Sequence, residues 1–244
     1  MNLAHILIAN MIIFGGGLIQ GVVGTGSSLF AVPLLILLIS PKVVVPMMII
    51  QCLFVNSYIS SKCRNHINIK RIMILLIAGF VGMIPGVKIL AVLPANYIKI
   101  FIGVAIALTA AVYLIGFRKK MKDEKKASIP IGLASGFLNG SISMSGPPIV
   151  IFFVNQEVDK GFFRGNLALY FLVLNILTIP VFYLNGLITT EVSKWTLALF
   201  PGIIAGTILG NSISSKVTEK NLKKMALFIV LFAGISSIIS GLRG

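Results

Sequence analysis

Two stretches rich in glycine, serine and amide side chains each interrupt a hydrophobic segment of this chain. The first, GGGLIQGVVGTGSSLFAVP, covers Gly15–Pro33 within an apolar run that extends from Leu3 to Ile39. The second, GFLNGSISMSGPP, covers Gly136–Pro148 and repeats the first at a constant offset of 119 residues. In a membrane such a break exposes backbone N–H and C=O groups, which cost several kcal/mol each unless protein or cavity water satisfies them. A repeated pair of breaks is typical of the central site of a transporter.

The composition is that of an integral membrane protein. Hydrophobic residues make up 57% of the chain, charged residues only 11%, and the mean hydropathy is +1.02, which excludes an ordinary soluble domain. A crossing needs about 20 apolar residues. Such segments lie at 43–60, 72–93, 98–117, 165–187, 195–214 and 222–240. The net charge of +15 is carried by loops between these segments, which favours membrane topology over nucleic-acid binding.

The length of the first broken segment requires it to fold back on itself. Leu3–Ile39 has 37 residues, roughly 55 Å as one helix, whereas the hydrocarbon core is about 30 Å thick. We expect a helical hairpin that is hinged at Gly24 to Ser28 and whose second arm ends near Pro41. The matching segment, Ile129–Val154, is about 39 Å long as a straight helix, so both a tilted single crossing and a shallow hairpin stay open.

The distribution of Lys and Arg favours two hairpins. With two hairpins, 16 basic residues fall on one side of the membrane and 5 on the other, whereas two single crossings give 12 and 9. The positive-inside rule therefore predicts an all-α polytopic membrane protein with two inverted repeats, each a broken helical hairpin followed by three transmembrane helices. The predicted repeats are 1–117 and 129–244, joined by a basic cytoplasmic linker at 118–128. The multi-pass protein is placed in the cell (plasma) membrane with both termini outside.

The duplication continues beyond the two breaks. Asn56 corresponds to Asn175 at the offset of 119, in the middle of the next helix of each repeat. Gly82 and Gly86 correspond to Gly202 and Gly206 at an offset of 120, and small residues spaced in this way allow helices to approach closely.

The charged residues indicate what such a site could bind. All six acidic residues fall in predicted loops, so a cation transporter or a carboxylate proton relay is disfavoured relative to an anion or neutral-solute site. Anion binding would then fall to the helix N-termini after each hinge, with buried amides beside them. The predicted substrate-binding residues are Gln20, Gly24, Thr25, Gly26, Ser27, Ser28, Gln51, Asn56, Asn139, Ser143, Ser145, Gly146, Pro147 and Asn175. Packing and hinge roles, or helix-to-helix hydrogen bonds of the amides, are the alternatives.

Enzymatic and metal chemistry are not expected. Cys52 and Cys63 are eleven residues apart on one predicted helix, about 16 Å, which is too far for a disulfide. The two histidines, His5 and His66, form no cluster with them that predicts a metal site, and neither is placed to activate a midplane serine. We predict no catalytic residue, no metal and no cofactor.

The sequence resembles the TauE/SafE sulfite-exporter family, also called toluene-sulfonate uptake permeases. The segments that carry the resemblance are GVVGTGSSLFAVP, GFLNGSISMSGPP and the following FFRGNLALYFLVLN, and it extends over essentially the whole chain. It implies transport of sulfite, sulfonates or related sulfur-containing anions. The family's glycine-rich hinges map onto Gly24, Gly26, Ser27, Ser143, Ser145, Gly146 and Pro147. Ser27-Ser28 in the first hinge, and the serines at 143 and 145 in the second, stand where more glycine is expected, so a changed substrate is possible.

Together these features predict a secondary transporter that moves a small anion, such as sulfite or an organosulfonate, by alternating access about a central site. The alternatives are a structural or regulatory membrane protein that transports nothing, and an anion channel. The expected partners are the anionic substrate and the lipid bilayer, without nucleic acid. Homo-oligomerisation, the direction of transport and the coupling ion stay open.

Overall fold

The computed structural model describes residues 3–115, 123–156, 158–214 and 234–242, and within these ranges the only regular secondary structure is helical. The helices are α1 (Leu3–Val23), α2 (Ser27–Leu35), α3 (Pro41–Lys62), α4 (Ile69–Val92), α5 (Ala95–Ile115), α6 (Glu124–Ile142), α7 (Gly146–Asn155), α8 (Lys160–Leu184) and α9 (Thr190–Ile213), with a short 3-10 turn at Arg64–His66. Residues 234–242 are also helical. Six of these helices, α1, α3, α4, α5, α8 and α9, are long and apolar enough to cross a membrane. The prediction of an all-α polytopic membrane protein is confirmed.

One predicted boundary is placed differently, and one predicted span lies mostly outside the described residues. Helix α6 begins at Glu124, so the last part of the predicted linker belongs to the first helix of the second repeat, while 118–122 lie outside the described residues. Most of the predicted span at 222–240 also falls outside them.

The first broken segment is a helical hairpin. A Cβ atom added to Gly16 of α1 would lie 3.4 Å from the Cβ atom of Ala31, so α2 runs back along α1. The chain turns at Gly24 and Gly26, which both have positive φ angles, of 92° and 110°. The second arm ends at Leu35, earlier than the sequence suggested; a turn follows at 36–39, and Pro41 begins the next helix.

The second broken segment is also a hairpin. The hydroxyl of Ser135 donates a hydrogen bond of 2.7 Å to the carbonyl oxygen of Ser145, ten residues later. Ten residues of continuous helix would separate these positions by about 15 Å, so the chain reverses direction between α6 and α7. Of the two possibilities that the sequence left open, the structure has the hairpin.

Each hairpin packs against a long helix of the other repeat. Helix α1 lies along α9, and α6 lies along α4, with glycines that let the backbones approach closely. A Cβ atom on Gly206 would lie 2.2 Å from the carbonyl oxygen of Phe14, and one on Gly82 would lie 2.1 Å from that of Leu133. Phe14 and Leu133 are 119 residues apart, so the two glycines occupy equivalent places in the two interfaces.

This equivalence corrects the predicted pairing of the glycines. Gly82 and Gly206 are 124 residues apart, so the structural offset between α4 and α9 is one helical turn longer than the offset of 120 that paired Gly82 with Gly202. In both interfaces the residue numbers rise together along the two helices, so each pair runs parallel. In each pair the first helix of one repeat runs parallel to a later helix of the other repeat, as expected if the two repeats have opposite orientations. The inverted orientation in a membrane stays a prediction.

The starts of the helices differ in how they are capped. The side chains of Asn68, Asp123, Asp159 and Thr189 accept a hydrogen bond from the backbone at the starts of α4, α6, α8 and α9. The two helices that follow the hinges, α2 and α7, have no side-chain cap. The first N–H groups of a helix have no intrahelical acceptor, so these two starts retain free donors.

Candidate functional site

A cavity of about 60 Å³ lies where the two hinges meet, several times the roughly 10–15 Å³ that one water molecule needs. It is lined by Gln20, Thr25, Gly26, Ser27, Ser28, Leu29, Cys52, Asn56, Asn139, Ser143, Met144, Ser145, Gly146, Pro147, Phe171 and Asn175. Twelve of the fourteen predicted substrate-binding residues are thereby brought together. Gly24 and Gln51 are the two that are not among its lining residues.

The lining follows the internal duplication. Seven pairs of lining residues are related by the offset of 119, including Cys52 with Phe171 and Asn56 with Asn175. The two residues of each repeat in these examples are four apart, so they project from the same face of α3 and of α8. Helices α3 and α8 pack against each other, and each contributes one wall of the cavity.

The buried amides of the first repeat are held in a closed network. The Gln20 side chain donates a hydrogen bond of 2.8 Å to Oδ1 of Asn56. Its own oxygen accepts from the hydroxyl of Ser27 and, at 3.3 Å, from the backbone N–H of Ser27. Both amides are almost completely buried. The network ties the start of α2 to α1 and α3.

The second repeat lacks this closure. Asn139 replaces Gln20 and is one methylene shorter, and its amide donates at 3.0 Å to the hydroxyl of Thr178 instead of reaching Asn175. The Asn175 side chain is 3% exposed, and it makes no hydrogen bond with any part of the chain that the structure describes. An amide thus lines the cavity with its hydrogen-bonding capacity unused.

Backbone donors complete the polar wall. In the first hinge the N–H groups of Ser28 and Leu29 have no acceptor among the described residues, and in the second hinge the same holds for Ser145 and Gly146. The hydroxyl of Ser145 is likewise unbonded to the described chain. Pro147 and the proline after it supply no N–H, so Gly146 is the last such donor before α7 continues. The residues that line the cavity therefore include free backbone N–H donors in both repeats and a free hydroxyl in the second.

Two residues that were not predicted hold the second hinge in place. The hydroxyl of Tyr170 donates at 3.1 Å to Ser135, which in turn donates to the carbonyl oxygen of Ser145. Tyr170 is fully buried, so an unpaired hydroxyl would be costly there. Its role is to position the backbone of the hinge from behind.

A comparison of the sequence with profiles of known protein families identifies the family of this chain. The profile described as Sulfite exporter TauE/SafE matches residues 9–237, which is nearly the whole chain. The chain belongs to the TauE/SafE sulfite exporter family. The resemblance seen in the two hinge segments is thus confirmed, and the protein is a multi-pass membrane protein of a transporter family whose substrates are small anions. No curated protein and no solved structure gives a match.

In this TauE/SafE member Gly24 lies in the first hinge but does not line the cavity; it packs against Arg164. A Cβ atom at Gly24 would lie 2.9 Å from Cγ of Arg164, which the sequence had assigned to a loop. Arg164 is instead 9% exposed. Its guanidinium donates at 2.8 Å to the carbonyl oxygen of Gly21 and at 2.9 Å to Oδ1 of Asn211, at the C-terminal ends of α1 and α9. A cation is favoured at both ends by the helix dipoles.

Gln51 and Cys52 show how the helix rotation selects the lining residue. Gln51 turns towards α9, donates at 3.3 Å to the carbonyl oxygen of Thr196 and is not among the residues that line the cavity. Its neighbour Cys52 faces the cavity, with its sulfur 3.4 Å from the hydroxyl oxygen of Ser27. The spacing of four residues between Cys52 and Asn56 is the signal that could have identified the cysteine.

Proposed function

We propose that this protein is a secondary transporter that moves a small sulfur-containing oxyanion, such as sulfite or an organosulfonate, through the cavity between its two hinges. The observation that carries the proposal is that residues of both hinges with free backbone N–H groups, and Ser145 with its unbonded hydroxyl, line one cavity. Donors of this kind, at the starts of helices, bind anions. Family membership supports the choice of sulfur oxyanions.

The proposed mechanism is alternating access. Because the cavity lies between the repeats, a rocking motion of one repeat against the other would open it first to one side of the membrane and then to the other. The parallel pairs α1 with α9 and α4 with α6 join the repeats through glycine contacts, and they are the surfaces that would slide or hinge. The predicted inverted topology, with both termini outside, provides the pseudo-symmetry for such a motion.

Uptake of radiolabelled sulfite into proteoliposomes tests the proposal. The Ser28→Ala, Ser145→Ala double variant removes two hydroxyl donors, and we expect its affinity to fall by about tenfold or more, since each lost bond to an anion is worth at least about 1 kcal/mol. Ser193 and Ser212 are exposed serines of α9 that bond to backbone carbonyls, so the Ser193→Ala, Ser212→Ala variant is the matched control.

The form of the flux separates the alternatives. Saturable uptake with counterflow, weakened in the first variant and intact in the control, supports a transporter with its site at the hinges. Flux that rises in proportion to concentration without counterflow would indicate a channel. Folded wild-type protein that moves neither sulfite nor any sulfonate would refute the proposal.

A further inference from the structure

The cavity between the hinges is lined by no charged side chain of the described residues. Among the described residues that line it, the polar groups are hydroxyls, amides, a thiol and backbone N–H groups. A charge that is moved from water into such a site loses several kcal/mol of hydration unless the protein compensates it. The positive charge that the protein places around the cavity therefore determines how much negative charge a bound ligand can carry.

Two helix starts supply that compensation. Helices α2 and α7 have nine and ten residues, both begin at the cavity, and neither is capped by the side chain of the residue that precedes it, although Gln20 accepts from the first N–H group of α2. The start of a helix carries a partial charge of about +0.5, so the two together provide about one positive charge.

The opposing ends of α1 and α6 offset this charge only in part, because some of their last carbonyl groups already have partners. At the end of α1, the carbonyl oxygen of Gly21 accepts from the cationic Arg164. At the end of α6, the carbonyl oxygens of Leu138 and Asn139 accept from the backbone N–H groups of Met144 and Ser143. The free backbone N–H groups of the lining residues Ser28, Leu29, Ser145 and Gly146 add donors at the cavity.

The unbonded Asn175 is an independent sign that the cavity holds a ligand. Its equivalent, Asn56, is bonded to Gln20, whereas the Asn175 side chain is 3% exposed and has no partner within the described chain. The buried atom without a partner is the acceptor Oδ1, and a ligand that donates a hydrogen bond, or a turn of the carboxamide towards a ligand oxygen, removes the cost of leaving it unpaired. Because no bond holds this carboxamide, it can turn to present its N–H groups to an anion.

We propose that the site accepts a monoanion and rejects a dianion, and that Asn175 contacts the bound monoanion directly. Sulfite would then be carried as hydrogen sulfite, so that each transported anion takes its proton with it. Organosulfonates with one negative charge belong to the same substrate class, and sulfate does not. This inference rests on the proposed transport function and adds the charge state of the substrate.

Competition experiments across pH test the charge state. Hydrogen sulfite loses its proton near neutral pH, so we expect the KM for total sulfite in proteoliposomes to rise from mildly acidic to mildly alkaline pH in proportion to the hydrogen sulfite that is lost. Methanesulfonate keeps one negative charge throughout, so its inhibition constant should be the same at every pH. This constant controls for effects of pH on the protein. Sulfate should inhibit more weakly than methanesulfonate by on the order of a hundredfold.

The outcomes distinguish this inference from the transport function. Saturable sulfite uptake with a KM that falls at alkaline pH, or with sulfate inhibiting as well as methanesulfonate, would leave transport established and overturn the monoanion site. Wild-type protein that takes up none of the sulfur anions would overturn the transport function itself.

The contact with Asn175 is tested by substitution. We expect Asn175→Ala to raise the KM for methanesulfonate by about tenfold, with the same pH dependence of sulfite uptake as the wild type. Asn185 lies exposed at the end of the same helix, and Asn185→Ala is the control. An unchanged KM in a folded Asn175→Ala protein would remove this residue from the site.

Discussion

The hydroxyl oxygens of Ser28 and Ser143 lie 3.3 Å apart, and this contact joins the hinge of one repeat directly to the hinge of the other. Ser28 lies in the first turn of α2, and Ser143 follows the last residue of α6. Both line the cavity. A change of backbone geometry in either hinge therefore alters the relative position of two hydroxyl donors that face the proposed substrate.

Ser143 is the one described residue other than glycine with a positive φ angle, at 57°, and substitutions there should reveal the cost of that conformation. A left-handed conformation costs an L-residue about 1–2 kcal/mol, and glycine avoids this cost. We expect Ser143→Gly to raise the melting temperature in detergent and Ser143→Val, with its β-branched side chain, to lower it. Without the hydroxyl, both variants should transport with reduced affinity.

Ser212 provides a control at which the glycine and valine variants should have the opposite order of melting temperatures. It lies exposed in the right-handed interior of α9, where glycine lowers helix stability by up to about 1 kcal/mol and valine by less. Ser212→Gly should therefore melt below Ser212→Val. The same order of stability at both positions would refute the role of backbone strain at Ser143.

The glycines between α4 and α6 predict a strong packing effect. A Cβ atom on Gly136 would lie 1.8 Å from the carbonyl oxygen of Gly79, closer than any real contact, and the obstacle is backbone. Gly136→Ala should force the helices apart at a cost of about 1–3 kcal/mol or more, seen as a lower melting temperature and a lower yield of folded protein. Unchanged stability would show that the repeats do not pack as closely as described.

Ala134, two residues away on an exposed part of α6, gives the matched control. Ala134→Gly changes the same two residue types in the reverse direction, and we expect it to cost no more than about 1 kcal/mol through helix propensity alone. Gly136→Ala should be the more destabilising of the two, although alanine is the better helix former. The sign of the difference is therefore set by packing.

The sequence was sufficient to locate the two hinges and the cavity residues that lie on them. Glycine and serine in an apolar segment have few structural roles, and their repetition identifies the break whatever the tertiary packing. The second hairpin could not be decided in this way, because Ile129–Val154 is short enough for a single tilted crossing. The hydrogen bond from Ser135 to Ser145 depends on tertiary packing, which the length of a segment does not reveal.

Residues on continuous helices were harder to assign. Gln51 is polar and was selected, while its neighbour Cys52 faces the cavity, since polarity alone does not give the rotation of a helix. Arg164 counted as a loop cation because charged residues usually lie outside the membrane core. Its burial depends on the ends of α1 and α9 meeting at one point, and the order of residues along the chain does not contain that information.

Arg164 should therefore behave as a structural cation. Arg164→Gln removes the charge that faces the two helix ends and weakens the bonds to Gly21 and Asn211, so we expect a loss of about 2 kcal/mol in stability. Arg164→Lys keeps the positive charge but lacks the several N–H donors of the guanidinium. Its stability should therefore lie between those of the wild type and Arg164→Gln. The melting temperature in detergent is the measurement, with Lys88→Gln, at an exposed position of α4, as control. Equal stability of the glutamine variant and the wild type would contradict this role.

The two cysteines, both free, allow the predicted topology to be tested without introducing new residues. Cys63 is half-buried at the end of α3, on the predicted cytoplasmic side, whereas Cys52 is buried at the cavity. In a Cys52→Ala background, a membrane-impermeant maleimide should label Cys63 in inverted vesicles and not in intact cells, because the positive-inside rule places this loop inside. A Cys63→Ala protein, which retains only Cys52, should react slowly and be protected by methanesulfonate, which does not itself react with maleimide. Labelling of Cys63 from outside intact cells would reverse the predicted orientation and with it the external position of both termini.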